Sequence, residues 1–357
     1  MPDAPPNPTG VPAARYVVGV DLGGTKISVG AVLAESGREV AVRTALTHAE
    51  RGPDAVVERI VELIETVIAL TMASEGVARS AFAGVGVGSP GALDRARGVV
   101  VVAHNLRWRD LPLRALIAER VGLPASLDND ANCATLGEWW TGAARGAHNV
   151  VGITLGTGIG GGLILGGRLY HGASDVAGEV GHTTIETAGR RCACGNYGCL
   201  EAYASGPNIA LRAREALEVG ETSILPDLVG GDLTQITAAT VYEASDRGDP
   251  LAREVVRDTA RFLGAGIANL LNVYNPDVVV LAGGVMRAGE ALFEPLRAEV
   301  RRRAFRPAVD AARIVPGALE GTAGIVGAAR MFLDQHGVDQ HAVDQRAFDE
   351  RARGGAA

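Results

Sequence analysis

The sequence predicts an α/β protein built as two lobes, and three observations predict it. At 357 residues the chain is longer than one ordinary domain. The run VVGVDLG at 17–23 can be laid over VVGITLG at 150–156, and each is followed by a Thr/Gly turn and another apolar strand, which suggests a duplicated plan. Short β-branched runs also alternate with longer segments of helical periodicity, the mark of an α/β chain.

Taken in order, residues 16–22 form a β-branched run ending in Gly-Gly-Thr, with further strands expected at 27–33 and 39–44. Residues 54–70 place Val56, Val57, Ile60, Val61, Ile64, Val67 and Ile68 at helical spacing after a Gly-Pro start. A buried strand at 84–88, a helix at 111–121 and a short strand at 125–127 follow. The last runs into Asp128-Asn129-Asp130, so this segment follows a strand's carboxyl end, where the ligands of α/β sheets gather. After the second copy come a helix at 249–272, an apolar strand at 278–281, Gly283-Gly284-Val285 and an amphipathic helix at 290–300. The expected division is a disordered leader at 1–15, a small lobe of 16–132 plus 322–333, a large lobe of 133–321 and a loosely ordered tail at 334–357. A cleft is expected between the copies.

Composition narrows the function. A formal net charge of -7 speaks against a general nucleic-acid binder, which needs a basic face. The cluster Arg301, Arg302, Arg303 and Arg306 reads as a solvated helix face. No apolar run is long enough to span a membrane, and the proline-rich start lacks the pattern of an export signal, so a soluble cytoplasmic protein is expected. Among 34 basic residues there is a single lysine, Lys26, and it lies in the Gly-rich turn after the first strand. A compact ammonium on a flexible stem suits that turn better than a planar guanidinium, with chance placement as the alternative.

Two turns have the form that handles phosphate. Gly23-Gly24-Thr25 and Gly156-Thr157-Gly158 each follow a buried strand, where glycine lets backbone N–H groups approach phosphate oxygens and accepts positive φ. Either alone could be an ordinary hairpin; together they suggest a clamp. Asp21 can hold the hydration shell of Mg²⁺, and Gly283-Gly284 or Gly160 to Gly162 could receive an adenosine or simply permit close packing. Neither turn is a P-loop.

Phosphoryl transfer needs a positioned acceptor hydroxyl and one carboxylate to take its proton. Asp128-Asn129-Asp130 offers two carboxylates and an amide, with helix capping by Asp130 as the plain alternative. Cys192, Cys194 and Cys199, with His182 shortly before them, have the spacing of a closed tetrahedral Zn²⁺ site. A disulfide is the competing reading, disfavoured by a reducing compartment and by the poor geometry of a Cys-x-Cys pair. Cys133 reads as a small core residue. Glu179 and Glu201 flank the metal motif and would be tethered to it, in a position to accept hydrogen bonds from vicinal hydroxyls.

Four motifs carry a resemblance to a known family: Asp21-Leu22-Gly23-Gly24-Thr25-Lys26, Asp128-Asn129-Asp130-Ala131-Asn132, Glu179-Val180-Gly181-His182, and Cys-x-Cys-Gly-x-x-Gly-Cys-x-Glu from Cys192 to Glu201. From about residue 16 to residue 333 the chain resembles the ROK family of repressors, open reading frames and kinases, and within it the bacterial glucokinases. The resemblance implies an actin-like ATPase (ribonuclease H-like) fold and an ATP-dependent transfer to the 6-hydroxyl of a hexose. It assigns the catalytic base to Asp130 and the sugar to Asn129, Glu179, His182 and Glu201, with Gly88 and Asn105 also lining the pocket. ATP and Mg²⁺ fall to Asp21, Gly23, Gly24, Thr25, Lys26, Thr157, Gly158, Gly283 and Gly284, and structural Zn²⁺ to His182, Cys192, Cys194 and Cys199. With one ring nitrogen of His182 on the metal, the other would face the sugar.

The resemblance also implies a homodimer or homotetramer. The longer leader and the extra segment past residue 333 depart from the family pattern and touch no motif. Rival readings are a sugar-responsive repressor, for which the stretch before the first strand is too short to hold a helix-turn-helix, a kinase for mannose, fructose or an N-acetylhexosamine or one using polyphosphate, and a zinc module that only binds.

Overall fold

In the computed structural model, which describes residues 15–337, β1 (Tyr16–Leu22), β2 (Lys26–Leu33) and β3 (Glu39–Leu46) pair as successive antiparallel strands. The leader and most of the tail lie outside the described residues. α1 (Pro53–Glu75) then buries Val56, Val57, Ile60, Ile64, Val67 and Ile68 against this sheet. It runs past the expected end because Thr71 is buried and returns its hydroxyl to the Val67 carbonyl at 2.8 Å; Gly76, at φ 67°, stops it.

β4 (Phe82–Ser89) lies parallel to β1. β5 (Ala92–Asp94), β6 (Val99–Ala103) and β7 (Trp108–Leu111) then form an antiparallel ribbon that the sequence reading does not anticipate. Leu111 pairs with Val100 in that ribbon, so α2 (Leu113–Val121) begins after Pro112, later than expected. β8 (Ala125–Asn129) joins parallel to β4 and passes into α3 (Asp130–Trp140).

The second sheet starts with β9 (Val150–Leu155), β10 (Ile159–Leu165) and β11 (Arg168–Leu169). The helices α4 (Glu201–Ala204), α5 (Gly206–Glu218), α6 (Leu225–Leu228), α7 (Ala238–Asp246) and α8 (Pro250–Tyr274) follow. Asp249 caps α8 by accepting from the Ala252 amide at 2.8 Å. The chain continues through β12 (Val278–Ala282), α9 (Glu290–Arg303), α10 (Arg306–Ala311), β13 (Arg313–Pro316) and α11 (Ala323–Gln335). Asp334, expected to open a loosely ordered tail, is therefore still helical.

The sheets have the orders β3-β2-β1-β4-β8 and β11-β10-β9-β12-β13. In each, the central strand pairs antiparallel with the next strand in the chain and parallel with a later one, β4 or β12. The laid-over runs at 17–23 and 150–156 are these two central strands and the glycine after each. The chain divides into two compact units, one ending at Cys133 and resuming at Gly324, the other Ala134–Ala323. Each has its own core, around Val18, Ile60, Val85 and Ile117 in the first and Ile153, Leu263, Ile267, Leu281 and Leu296 in the second. Arg301, Arg302 and Arg303 are exposed on the last turn of α9, where Arg302 and Arg303 pair with Glu299. Among the described residues no helix is long and apolar enough to cross a membrane.

Candidate active site and metal centre

In the first unit, strand register puts two expected site residues beside the first acid of the Asp-Asn-Asp segment: Asp21 of β1 opposite Gly88 of β4, and Gly88 opposite Asp128 of β8. A Cβ at Gly88 would stand 3.2 Å from the Cys133 sulfur, so the row of strand ends closes tightly over α3. The turn after β1 is held by the Gly23 amide donating to the Lys26 carbonyl at 2.9 Å and the Thr47 hydroxyl donating to the Gly23 carbonyl at 2.7 Å. Neither Gly23 nor Gly24 has a positive φ, contrary to one reason given for glycine there. Close approach is the operative reason: a Cβ at Gly24 would lie 3.0 Å from that of Asn105, which brings this expected sugar residue against the phosphate turn. Thr25 and Lys26 are exposed. Burial pushes the Asp21 carboxyl up, and Lys26 pulls it partly back.

The two carboxylates of the Asp-Asn-Asp segment have different surroundings. β8 extends through Asn129, beyond the expected strand, so Asp130 opens α3 directly. Asp128 is 0% exposed; Arg95 Nε stands 2.8 Å from its Oδ2, and its Oδ1 accepts from the Asn129 amide at 2.8 Å and from Asn132 Nδ2 at 3.0 Å. Asn129 Oδ1 accepts from the amides of Ala131 (2.9 Å) and Asn132 (3.2 Å), so the cap of α3 that Asp130 could have supplied alone comes mainly from Asn129. Asp130 Oδ1 shares the Ala131 amide at 2.9 Å, and the side chain is half-buried. Asp128 is thus fully enclosed, whereas Asp130 is only half-buried. Cys133 is fully buried, and burial together with Asp128, Asp21 and Asp130 pushes its thiol well up.

In the second unit, one ligand atom each from His182, Cys192, Cys194 and Cys199 lies within 4.8 Å of the others. The sulfurs of Cys194 and Cys199 are 3.7 Å apart, as are Cys192 Sγ and His182 Nδ1. Two sulfurs at about 2.3 Å from a tetrahedral ion stand about 3.8 Å apart, so the donor set fits Zn²⁺. All four cysteines are free thiols, which removes the disulfide reading. Burial pushes the Cys192 thiol up to about 12 and raises Cys199, while the Asn196 backbone amide lowers Cys194. Buried thiols of this kind ionise at neutral pH beside a cation.

His182 turns Nδ1 toward Cys192 Sγ and holds Nε2 3.9 Å from Glu179 Oε2. Glu201 touches both neighbours: Oε1 is 3.9 Å from Cys192 Sγ, and Oε2 accepts from the Ile159 amide at 2.8 Å. A Cβ at Gly158 would meet that same oxygen at 2.6 Å. The second glycine turn is thus bonded to the acid that follows the metal motif, a link that residue spacing does not reveal.

Beyond this turn lies a cavity of about 990 Å³ whose lining includes Thr157, Gly284, Pro207, Ala210, Ile236 and Tyr242. It unites two expected nucleotide segments, 156–157 and Gly284, that are distant in sequence. Gly283 has φ 106°, and a Cβ there would strike the Leu155 carbonyl at 2.2 Å, so only glycine serves. Gly161 answers to packing, since its Cβ would lie 2.6 Å from the Gly178 carbonyl. Pro207 and Ala210 on α5, Ile236 before α7 and Tyr242 on α7 belong to no motif; the amphipathic pattern of α5 and α7 is the signal that could have found three of them. The Tyr242 hydroxyl is buried and has no hydrogen-bond partner among the described residues.

Comparison with known proteins agrees with this arrangement. A glucokinase of Thermotoga maritima is 38% identical over 322 residues, covering 90% of this chain and 98% of its own. A glucokinase of Halalkalibacterium halodurans is 37% identical over 323 residues, covering 90% and 96%. The crystal structure of a ROK family glucokinase from Streptomyces griseus, in complex with glucose and AMPPNP, superposes with a TM-score of 0.77 at 36% identity, covering 88% of this chain and 98% of that one. The fold is accordingly that of the actin-like ATPases. The sequence profile of the ROK family matches residues 17–335, nearly all that the structure describes, and with the strand-end acids, glycine turns and Cys/His cluster in place the chain belongs to the ROK family.

Proposed function

We propose that this protein is an ATP-dependent glucokinase, which moves the γ-phosphoryl group of ATP to the 6-hydroxyl of glucose. The observation that carries the reading is the identity with two glucokinases along nearly the whole chain, together with the likeness to a glucose and AMPPNP complex. Asp130 accepts the proton of the attacking hydroxyl, a task for which its half-buried carboxylate is suited and the enclosed Asp128 is not. Asn129, with its Oδ1 on the helix amides, has its NH₂ to offer a sugar hydroxyl; Glu179, Glu201 and His182 Nε2 supply further partners, with Gly88 and Asn105 at the pocket wall.

The nucleotide base enters the cavity beside Tyr242 and Pro207, and the phosphates follow Thr157, Gly158, Gly283 and Gly284. Asp21 and the turn Gly23 to Lys26 complete the phosphate contacts. Mg²⁺ held through Asp21 would neutralise charge on the phosphates, and a cation there would reverse the upward push of burial on that carboxyl. Zn²⁺ in the four-donor cluster would be structural, with no position left open for water. By resemblance we expect a homodimer or homotetramer, which light scattering on the purified protein would measure.

The test is a coupled assay of ADP release across glucose, mannose, fructose and N-acetylglucosamine, with polyphosphate as the competing donor. Glucose with ATP should give the highest kcat/KM, and Asp130→Ala should lower kcat by about 10²- to 10⁴-fold while leaving glucose binding in place. Turnover preferred with another sugar or donor, or an active D130A variant, would overturn the assignment.

A further inference from the structure

We propose that Arg95 is a positioning residue for the phosphoryl transfer: through its ion pair with the enclosed Asp128, it sets where Asn129 and Asp130 stand. The inference rests on the kinase reading above and adds a residue that belongs to none of the four motifs.

Arg95 lies in the turn between β5 and β6, the ribbon that the sequence does not announce. That turn is itself fixed. The Gly98 amide donates to the Asp94 carbonyl at 2.8 Å, and the Arg97 amide to Asp94 Oδ1 at 2.9 Å. From α2, Arg114 donates to the carbonyls of Arg95 and Ala96, each at 3.1 Å. The backbone that carries Arg95 is therefore held on both sides, and its guanidinium reaches Asp128 Oδ2 at 2.8 Å from a defined base.

Asp128 passes this constraint on. Its Oδ1 grips the Asn129 amide and the Asn132 side chain, one residue before Asp130 and two after it. Asn129 in turn holds the amides of Ala131 and Asn132. Asp128 Oδ1 accepts the first two of these bonds from a place with no exposure to water, and a carboxylate so enclosed needs a counter-charge to stay ionised. Arg95, with a side chain only 22% exposed, supplies it. Without Arg95 the carboxylate must take up a proton or move, and either change loosens the turn that carries the base.

The pair also shapes the local field. The groups acting on the Cys133 thiol are the carboxylates of Asp128 on β8, Asp21 on β1 and Asp130 on α3, and Arg95 is the cation among them. Removing the cation makes every remaining carboxylate harder to ionise. Removing Asp128 while Arg95 stays does the opposite to Asp130.

The experiment compares wild type, Arg95→Gln and Asp128→Asn by steady-state kinetics with glucose and ATP across pH, with thermal unfolding to verify the fold. R95Q should lose kcat by about 100-fold, the scale of an ångström of misplacement. Its KM for ATP should stay within about threefold of wild type, because the groups that hold the nucleotide are untouched, while KM for glucose rises to the extent that Asn129 moves. The acidic limb of the kcat profile should move to higher pH in R95Q and to lower pH in D128N. If R95Q does not fold, the isosteric D128N carries the test through its own kcat loss and downward shift. Wild-type protein without glucose-dependent ADP release would defeat the kinase reading. Wild-type turnover with kcat in a folded variant within about threefold of it, or limbs that move together, would defeat this inference alone.

Discussion

Glu138 offers the sharpest test of how the second unit is held. It sits on α3 with 2% exposure, yet its carboxylate accepts three backbone amides from two separate loops: Ala143 and Ala318 on Oε2 and Leu319 on Oε1, each at 2.9 Å. A charge-assisted bond contributes about 1.5–3 kcal/mol, so three sum to roughly 4–9 kcal/mol before correction. Part is regained, because Ala318 is exposed and its amide can turn to water once released. Glu138→Ala should therefore cost about 3–4 kcal/mol. Glu138→Gln keeps the shape and one oxygen able to accept two amides, but sets an NH₂ against the third, and should cost about 1–2 kcal/mol.

The same geometry implicates two glycines. A Cβ at Gly142 would stand 2.1 Å from Glu138 Oε2, and one at Gly317 2.7 Å from Oε1, so Gly142→Ala should displace the carboxylate and approach the cost of E138A. Urea unfolding of each variant measures these values, with an unchanged m confirming that the transition is the same one. An E138A stability within about 0.5 kcal/mol of wild type, or Gln costing more than Ala, would refute the account.

Three further outcomes follow from other parts of the molecule. Purified protein should carry zinc by elemental analysis; Cys194→Ser, at an exposed position where the substitution itself disturbs little packing, should lose the metal and lower the midpoint of thermal unfolding, whereas full zinc content in C194S would exclude the cluster. Gly324→Ala places a Cβ 2.5 Å from the Asp21 carboxyl carbon, so kcat should fall on the order of 100-fold with glucose binding retained by calorimetry. Glu299, with a side chain 8% exposed and Arg302 and Arg303 beside it, is held at about 2, below its ordinary 4.5. A depressed carboxylate contributes stability above the unfolded value and loses it as pH falls toward the folded one. Acid unfolding should thus show a contribution of about 1–2 kcal/mol fading between those two values, discounted for the exposed arginines, and absent in Glu299→Gln.

Much of the fold was legible because it depends on local pattern. The run at 54–70 announced α1 by spacing alone, and the paired strand-and-glycine runs announced the centres of both sheets. The ribbon from β5 to β7 was not legible, since its short strands lack a long alternating pattern and pair only with one another. Helices α4 and α6 escaped because each is only four residues long, too short to show a periodicity.

The site divides the same way. Residue types and their spacing set the chemistry on offer: three thiolates and an imidazole at metal spacing, glycine turns after buried strands, and two carboxylates flanking an amide. These follow from residue type and short separation, which the covalent chain imposes. Which carboxylate is fully enclosed follows from the packed chain alone: Arg95, more than thirty positions away on the β5–β6 turn, pairs with a buried Asp128, while Asp130 stays half-buried. The bond from Glu201 to the Ile159 amide and the cavity joining Thr157 to Gly284 were decided there too. Burial and long-range hydrogen bonding are properties of the packed chain, and no local pattern encodes them.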